Sequence, residues 1–193
     1  MFQVYSFLIY CFVNAYTPGA NNLLSMSYAA QLGFRRSVRF NFGILTGFAV
    51  VMTMCTVFTS TLYSYLPRAK LVMQILGAAY MLYLAYKVWK SSGDLSTDSN
   101  KKASFFSGML LQFVNPKIYI YSITAMSNYV LTVYSSARAM AAFTVILTVI
   151  GSSGSFAWAL FGSAFCRFLS KHTKAVNAVM ALLLVYCAIS LFL

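Results

Sequence analysis

Acidic residues are nearly missing from this chain. Asp94 and Asp98 are the whole complement in 193 residues, and both fall in one polar segment. There is a single histidine, His172, and charged residues of all kinds make up 8% of the sequence. Paired-carboxylate catalysis, a Ser-His-Asp triad and ordinary metal sites each need groups that the apolar stretches do not contain. The sequence therefore argues against an enzyme, and neither a metal nor another cofactor is expected. The four cysteines (Cys11, Cys55, Cys166, Cys187) stand singly in apolar surroundings without Cys-x-x-Cys spacing, which reads as packing rather than redox chemistry. Proline is scarce too: there are three, and two of them, Pro18 and Pro116, occupy matching places in the two halves.

What is abundant is apolar surface. At 61% hydrophobic residues the chain lies far outside the range of soluble domains and reads as an all-α integral membrane protein. Six spans are expected, at roughly 2–32, 40–64, 71–90, 105–133, 139–166 and 175–193, against the roughly 20 residues that cross a bilayer's hydrocarbon. The first and fourth are longer than needed and have a proline near their centres. The extreme N-terminus lacks the basic start of a cleavable signal peptide, so the first stretch is expected to be retained as a span.

The net charge of +12 does not read as a nucleic-acid footprint, because the cations cluster in short connections between spans. Arg35, Arg36 and Arg39 flank the first connection, Lys87, Lys90, Lys101 and Lys102 the third, and Arg167, Lys171 and Lys174 the fifth. Only Arg68, Lys70 and Arg138 flank the even ones. By the positive-inside rule the odd connections face the cytoplasm, and both termini are periplasmic.

The long spans carry two helix-breaking motifs, Asn14-x-x-Thr17-Pro18-Gly19-x-Asn21-Asn22 and Gln112-x-x-Asn115-Pro116-Lys117. Hydrocarbon offers freed backbone groups no water, so such breaks persist only where protein or a wet cavity satisfies them. Thr17 and Asn115 are good N-cap residues, and proline is favoured at the first helical position. Each motif is expected to start a half-helix whose positive end favours an anionic group. Lys117 lies about 12 residues into its span, roughly 18 Å at helical rise and close to the midplane. An ionisable residue at that depth is a functional-site candidate. No span holds a carboxylate to pair with it, which leaves substrate carboxylate, helix carbonyls, or nearby Tyr and Asn side chains. The amides Asn14, Asn21, Asn22, Gln112 and Asn115 either bond a zwitterion or satisfy freed carbonyls.

Three spans per half make the halves opposite in orientation, so the expected architecture is a 3+3 inverted repeat with broken first and fourth helices. The first repeat is 1–90, a cytoplasmic linker 91–104, and the second repeat 105–193. Phe12-Val13-Asn14 echoes Phe113-Val114-Asn115, and Gly43-x-x-x-Gly47-Phe48 has a counterpart in Gly151-x-x-Gly154 before Phe156. Such small-residue patterns let helices approach closely, either within one chain or across a homodimer. Paired breaks in two halves point to a transport site between them.

Three blocks resemble the LysE/RhtB family of amino-acid exporters: Thr17-Pro18-Gly19-Ala20-Asn21-Asn22 with Gly33-Phe34-Arg35, Gly77-Ala78-Ala79-Tyr80 through Ala85-Tyr86-Lys87, and Gln112-Phe113-Val114-Asn115-Pro116-Lys117. Within it, Leu110-Leu111-Gln112-Phe113-Val114-Asn115 and Ala181-Leu182-Leu183-Leu184-Val185-Tyr186-Cys187-Ala188 look most like the cysteine/O-acetylserine exporters. Ala20 stands where the family usually has a second proline. The resemblance implies efflux of a small zwitterionic amino acid or derivative across the bacterial inner membrane, driven by the proton gradient. Two rivals are a thiol–disulfide electron carrier, disfavoured because 105–133 holds no cysteine, and a non-transporting membrane partner subunit.

Overall fold

The computed structural model describes residues 4–58, 75, 78–83, 85–86, 88–90, 103–165 and 172–190. The expected linker up to Lys102, the end of the second span, the start of the third, and Arg68, Lys70, Lys87, Cys166, Arg167 and Lys171 lie outside them. Among the described residues the chain is helical, with no strand. The elements are α1 (Val4–Tyr16), α2 (Ala20–Leu32), α3 (Phe34–Val57), α4 (Phe105–Phe113), α5 (Pro116–Ala125), α6 (Ala137–Ala164) and α7 (Thr173–Ser190). A π-helical turn, Met126–Val130, extends α5. Described positions between 75 and 90 are also helical.

The first and fourth expected spans are each interrupted, between Tyr16 and Ala20 and between Phe113 and Pro116. Two unbroken helices, α3 with 24 residues and α6 with 28, are long and apolar enough to cross a membrane. Large apolar side chains such as Ile9, Phe106, Val145 and Leu182 lie exposed on the outside of the bundle, where lipid would receive them.

One boundary differs from expectation. The arginines of the first connection are not in a loop: α3 begins at Phe34 and carries Arg35, Arg36 and Arg39 exposed on its first turns. The whole connection is Gly33, whose φ of 79° lies in the left-handed region open to glycine. It ends α2 by donating its N–H to Ala29 O and starts α3 by accepting from Ser37 N. A single such residue turns the chain, so the helix needs no polar loop around its cations.

Small residues make the seams. A Cβ at Gly43 would lie 1.9 Å from Phe105 O and one at Gly47 2.5 Å from Met109 O, so α3 meets α4 backbone to backbone. Gly108 returns the contact against Phe40 O. On the other side, Gly154 and Gly162 bring α6 equally close to Ala15 O and Met26 O. The Gly43-x-x-x-Gly47 motif is therefore spent on packing inside the chain and is not available as a dimer seam. Two buried apolar clusters flank these seams, one around Leu23, Phe40, Ile44 and Leu184, the other around Phe48, Met52, Tyr121 and Leu147.

Candidate functional site

The last ladder bond of α1 ends on Val13 O, and each carbonyl from Asn14 to Pro18 beyond it finds another partner. Val13 O accepts Thr17 N at 3.0 Å and Thr17 Oγ1 at 2.7 Å. Asn14 O also accepts Thr17 Oγ1, at 3.2 Å. Asn22 Nδ2 reaches back to Ala15 O and to Thr17 O, both at 2.9 Å. Trp158 Nε1, from α6, donates to Tyr16 O at 3.1 Å. The Cys187 thiol, from α7, donates to Pro18 O at 3.5 Å.

This network corrects the expected cap. Thr17 turns its hydroxyl back onto α1 and does not cap α2; the N-cap of α2 is Gly19, without a side-chain bond. Pro18 lies in the break itself, and the first helical position belongs to Ala20. A proline would fit at position 20, since its missing N–H is not needed there. The first ladder bond runs from Leu23 N to Gly19 O, so the amides of Ala20, Asn21 and Asn22 have no ladder partner.

At the second break the expectation holds. Asn115 is the N-cap of α5, with Pro116 at its start, and its Oδ1 accepts Lys117 N at 3.1 Å. Ile118 N bonds Asn115 O at 3.2 Å. The donors at this helix start are occupied, so of the two helix starts it is α2 that offers free amides.

A side-chain bridge joins the breaks. Asn21 Nδ2 donates to Gln112 Oε1 at 2.8 Å, and Gln112 Nε2 returns a bond to Asn21 Oδ1 at 3.2 Å. Gln112 Nε2 also reaches Gly108 O at 2.8 Å, and Asn115 Nδ2 donates to Asn21 Oδ1 at 3.3 Å. Asn14 is satisfied within its own helix, donating to Tyr10 O at 3.0 Å.

Lys117 crosses from α5 to the first break. Its Nζ donates to Thr17 Oγ1 at 3.1 Å and to Thr17 O at 3.3 Å. It lies 3.4 Å from where a Cβ on Gly19 would sit. Both of its hydrogen-bond acceptors are neutral.

These groups line one open cleft of ≈ 390 Å³, mouth included. Asn14, Gly19, Asn21, Asn22, Asn115 and Lys117, all singled out from sequence, are on its wall. Thr17 and Gln112 reach it only through the bonds above. Ala15, Ala20, Phe48, Ile118, Tyr121 and Gly151 complete the wall and were not singled out from sequence as site residues. The available signals were faint: Tyr121 is one turn beyond Lys117, and Gly151 belongs to the small-residue echo.

The LysE type translocator family matches residues 12–193. The chain belongs to that family. A relative from Klebsiella pneumoniae, named cysteine/O-acetylserine efflux protein, is 39% identical over 184 residues, covering 95% of this chain and 94% of its own. Proteins of the same name from Escherichia coli and Shigella flexneri are 38% identical over 187 residues, covering 97% of this chain and 96% of theirs. No solved structure matches it. As a LysE type translocator the chain is a multi-pass inner-membrane protein and not an enzyme.

Proposed function

We propose that this LysE type translocator is a secondary exporter of small zwitterionic amino acids or derivatives, of the cysteine and O-acetylserine kind. The observation that carries the reading is the Lys117 ammonium, held in the cleft by the two oxygens of Thr17. Both acidic residues of the chain fall at positions 94 and 98, outside every expected span. A substrate carboxylate is the counter-charge that this arrangement lacks. The free amides at the start of α2, beside Gly19, add partial positive charge on the same wall. The names of the relatives support the substrate class.

In this reading Asn14, Thr17, Pro18, Gly19, Asn21, Asn22, Gln112, Asn115, Pro116 and Lys117 form the binding region with unequal roles. Lys117 and the α2 amides hold the carboxylate. Asn22 and Thr17 keep the break intact. Asn21, Gln112 and Asn115 form a latch between the expected halves 1–90 and 105–193, with the linker 91–104 between them. Amide pairs exchange partners at low cost, so a substrate ammonium competes for Gln112 Oε1 and Asn21 Oδ1 and opens the latch. Rocking of the two inverted halves then alternates access. Export runs from the cytoplasm to the periplasm, and the basic connections support a periplasmic location for both termini. Coupling to the proton gradient passes through Lys117, a tyrosine or the substrate, since no span offers a carboxylate.

The test is export from inside-out or reconstituted vesicles supplied with labelled cysteine or O-acetylserine. Lys117→Met abolishes transport while the amount of folded protein in the membrane stays normal. Wild-type transport by that variant would sink the carboxylate anchor.

A further inference from the structure

We propose that Phe48, seated on Gly151, is the gauge that limits the size of the transported side chain. The proposal rests on the reading of the cleft as the substrate site and adds the feature that would select among amino acids.

Phe48 lines the cleft from α3 and Gly151 from α6. The ring has nowhere to retreat. A Cβ on Gly151 would lie 2.4 Å from its Cζ and 2.8 Å from its Cε2, so the ring fills the space that a side chain at 151 would need. Tyr121 meets the same ring edge-on, with centroids 5.7 Å apart at 70°. Tyr121 is fixed in turn, donating its hydroxyl to Leu147 O at 3.2 Å and stacking on Tyr10 with centroids 5.9 Å apart. Phe48 is 4% exposed and Tyr121 3%. A wall clamped from behind and from the side discriminates by volume, because close-packed surroundings do not yield.

The placement suits a side-chain subsite. Tyr121 is one helical turn from Lys117, about 5.4 Å along α5. The α-carbon of an amino acid is about 1.5 Å from its carboxylate carbon. A substrate anchored by its carboxylate at Lys117 therefore starts its side chain within one turn of the Phe48–Tyr121 wall. The wall admits short, unbranched side chains and opposes branched or aromatic ones. A methylene more or less in such a pocket changes selection by about tenfold to two-hundredfold.

The experiment compares vesicles containing wild-type protein, Phe48→Ala, Phe48→Leu and Gly151→Ala, offered labelled cysteine, O-acetylserine and leucine in separate assays. Phe48→Ala is expected to raise the leucine-to-cysteine transport ratio about tenfold or more. Phe48→Leu shifts it the same way by less, and covers the case in which the larger truncation does not fold. Gly151→Ala pushes the ring toward the cleft and depresses O-acetylserine more than cysteine. Ratios unchanged in both Phe48 variants, at wild-type protein levels, overturn the gauge. Lys117→Met run alongside separates the two ideas: if it loses all cargos while the Phe48 ratios stay flat, the gauge fails and the cleft stands. If Lys117→Met transports normally, the carboxylate anchor falls, and the Phe48 ratios still decide the gauge.

Discussion

The two breaks do the same topological job by opposite means. The second is closed by its neighbours in sequence: Asn115 caps Lys117 N, Asn115 N bonds Gln112 O at 3.3 Å, and Tyr119 donates its hydroxyl to Phe113 O at 3.2 Å. The first adds to its local bonds from Thr17 and Asn22 a set made from a distance, with Trp158, Lys117 and Cys187 each holding one of its carbonyls. A self-capped break forms as soon as its helix does. A break held by remote side chains exists only once the bundle has assembled, and its geometry follows whatever those helices do.

Substitutions can put this contrast to the test. The largest effect is expected at Gly154, where a Cβ would lie 2.0 Å from Ala15 O and force α6 away from the first break. Gly154→Ala should cost about 3 kcal/mol, the upper end for overpacking, and show as a large loss of folded protein in detergent thermal melts. Next comes a matched pair. Asn22→Leu orphans Ala15 O, at about 1–3 kcal/mol. Asn115→Ala removes one cap, at about 1 kcal/mol. Both of these bonds are made by neighbours in sequence, so equal melting shifts would show that the local parts of the two breaks weigh alike and leave the remote bonds as their difference. The smallest pair is Trp158→Phe against Tyr119→Phe, each removing one exposed hydrogen bond at about 0.5–1 kcal/mol, with the larger shift expected from Trp158 because its bond ties α6 to the break. A larger shift from Tyr119→Phe would reverse the ranking and refute it.

The same contrast explains what could be read from sequence. Asn115-Pro116 carries its own structural instructions, because cap, proline and capped amide lie within three positions of one another. Thr17-Pro18-Gly19 looks alike on paper, yet Thr17 bonds backward to Val13 O, since Pro18 and the extended Gly19 leave no α2 amide within its reach. The positions of both breaks, and the isolation of Lys117 from any acid, were legible from residue types alone. The cleft's apolar wall was not. In a chain this hydrophobic, Phe48 and Ile118 cannot be told by periodicity from residues that face lipid or core. Nor does composition say that Gly33 alone makes the turn that three arginines had suggested was a loop. Glycine marks a turn only when its φ is known, and several other glycines of the chain sit in helix seams.

That one-residue turn fixes where charge and cleft stand along the chain. With Gly33 as the sole link, the helix that carries Arg35, Arg36 and Arg39 begins directly where α2 ends. α2 has 13 residues, about 20 Å at helical rise, and its other end puts Ala20, Asn21 and Asn22 on the cleft wall. The exposed arginines and the first break thus stand at the two ends of one short helix.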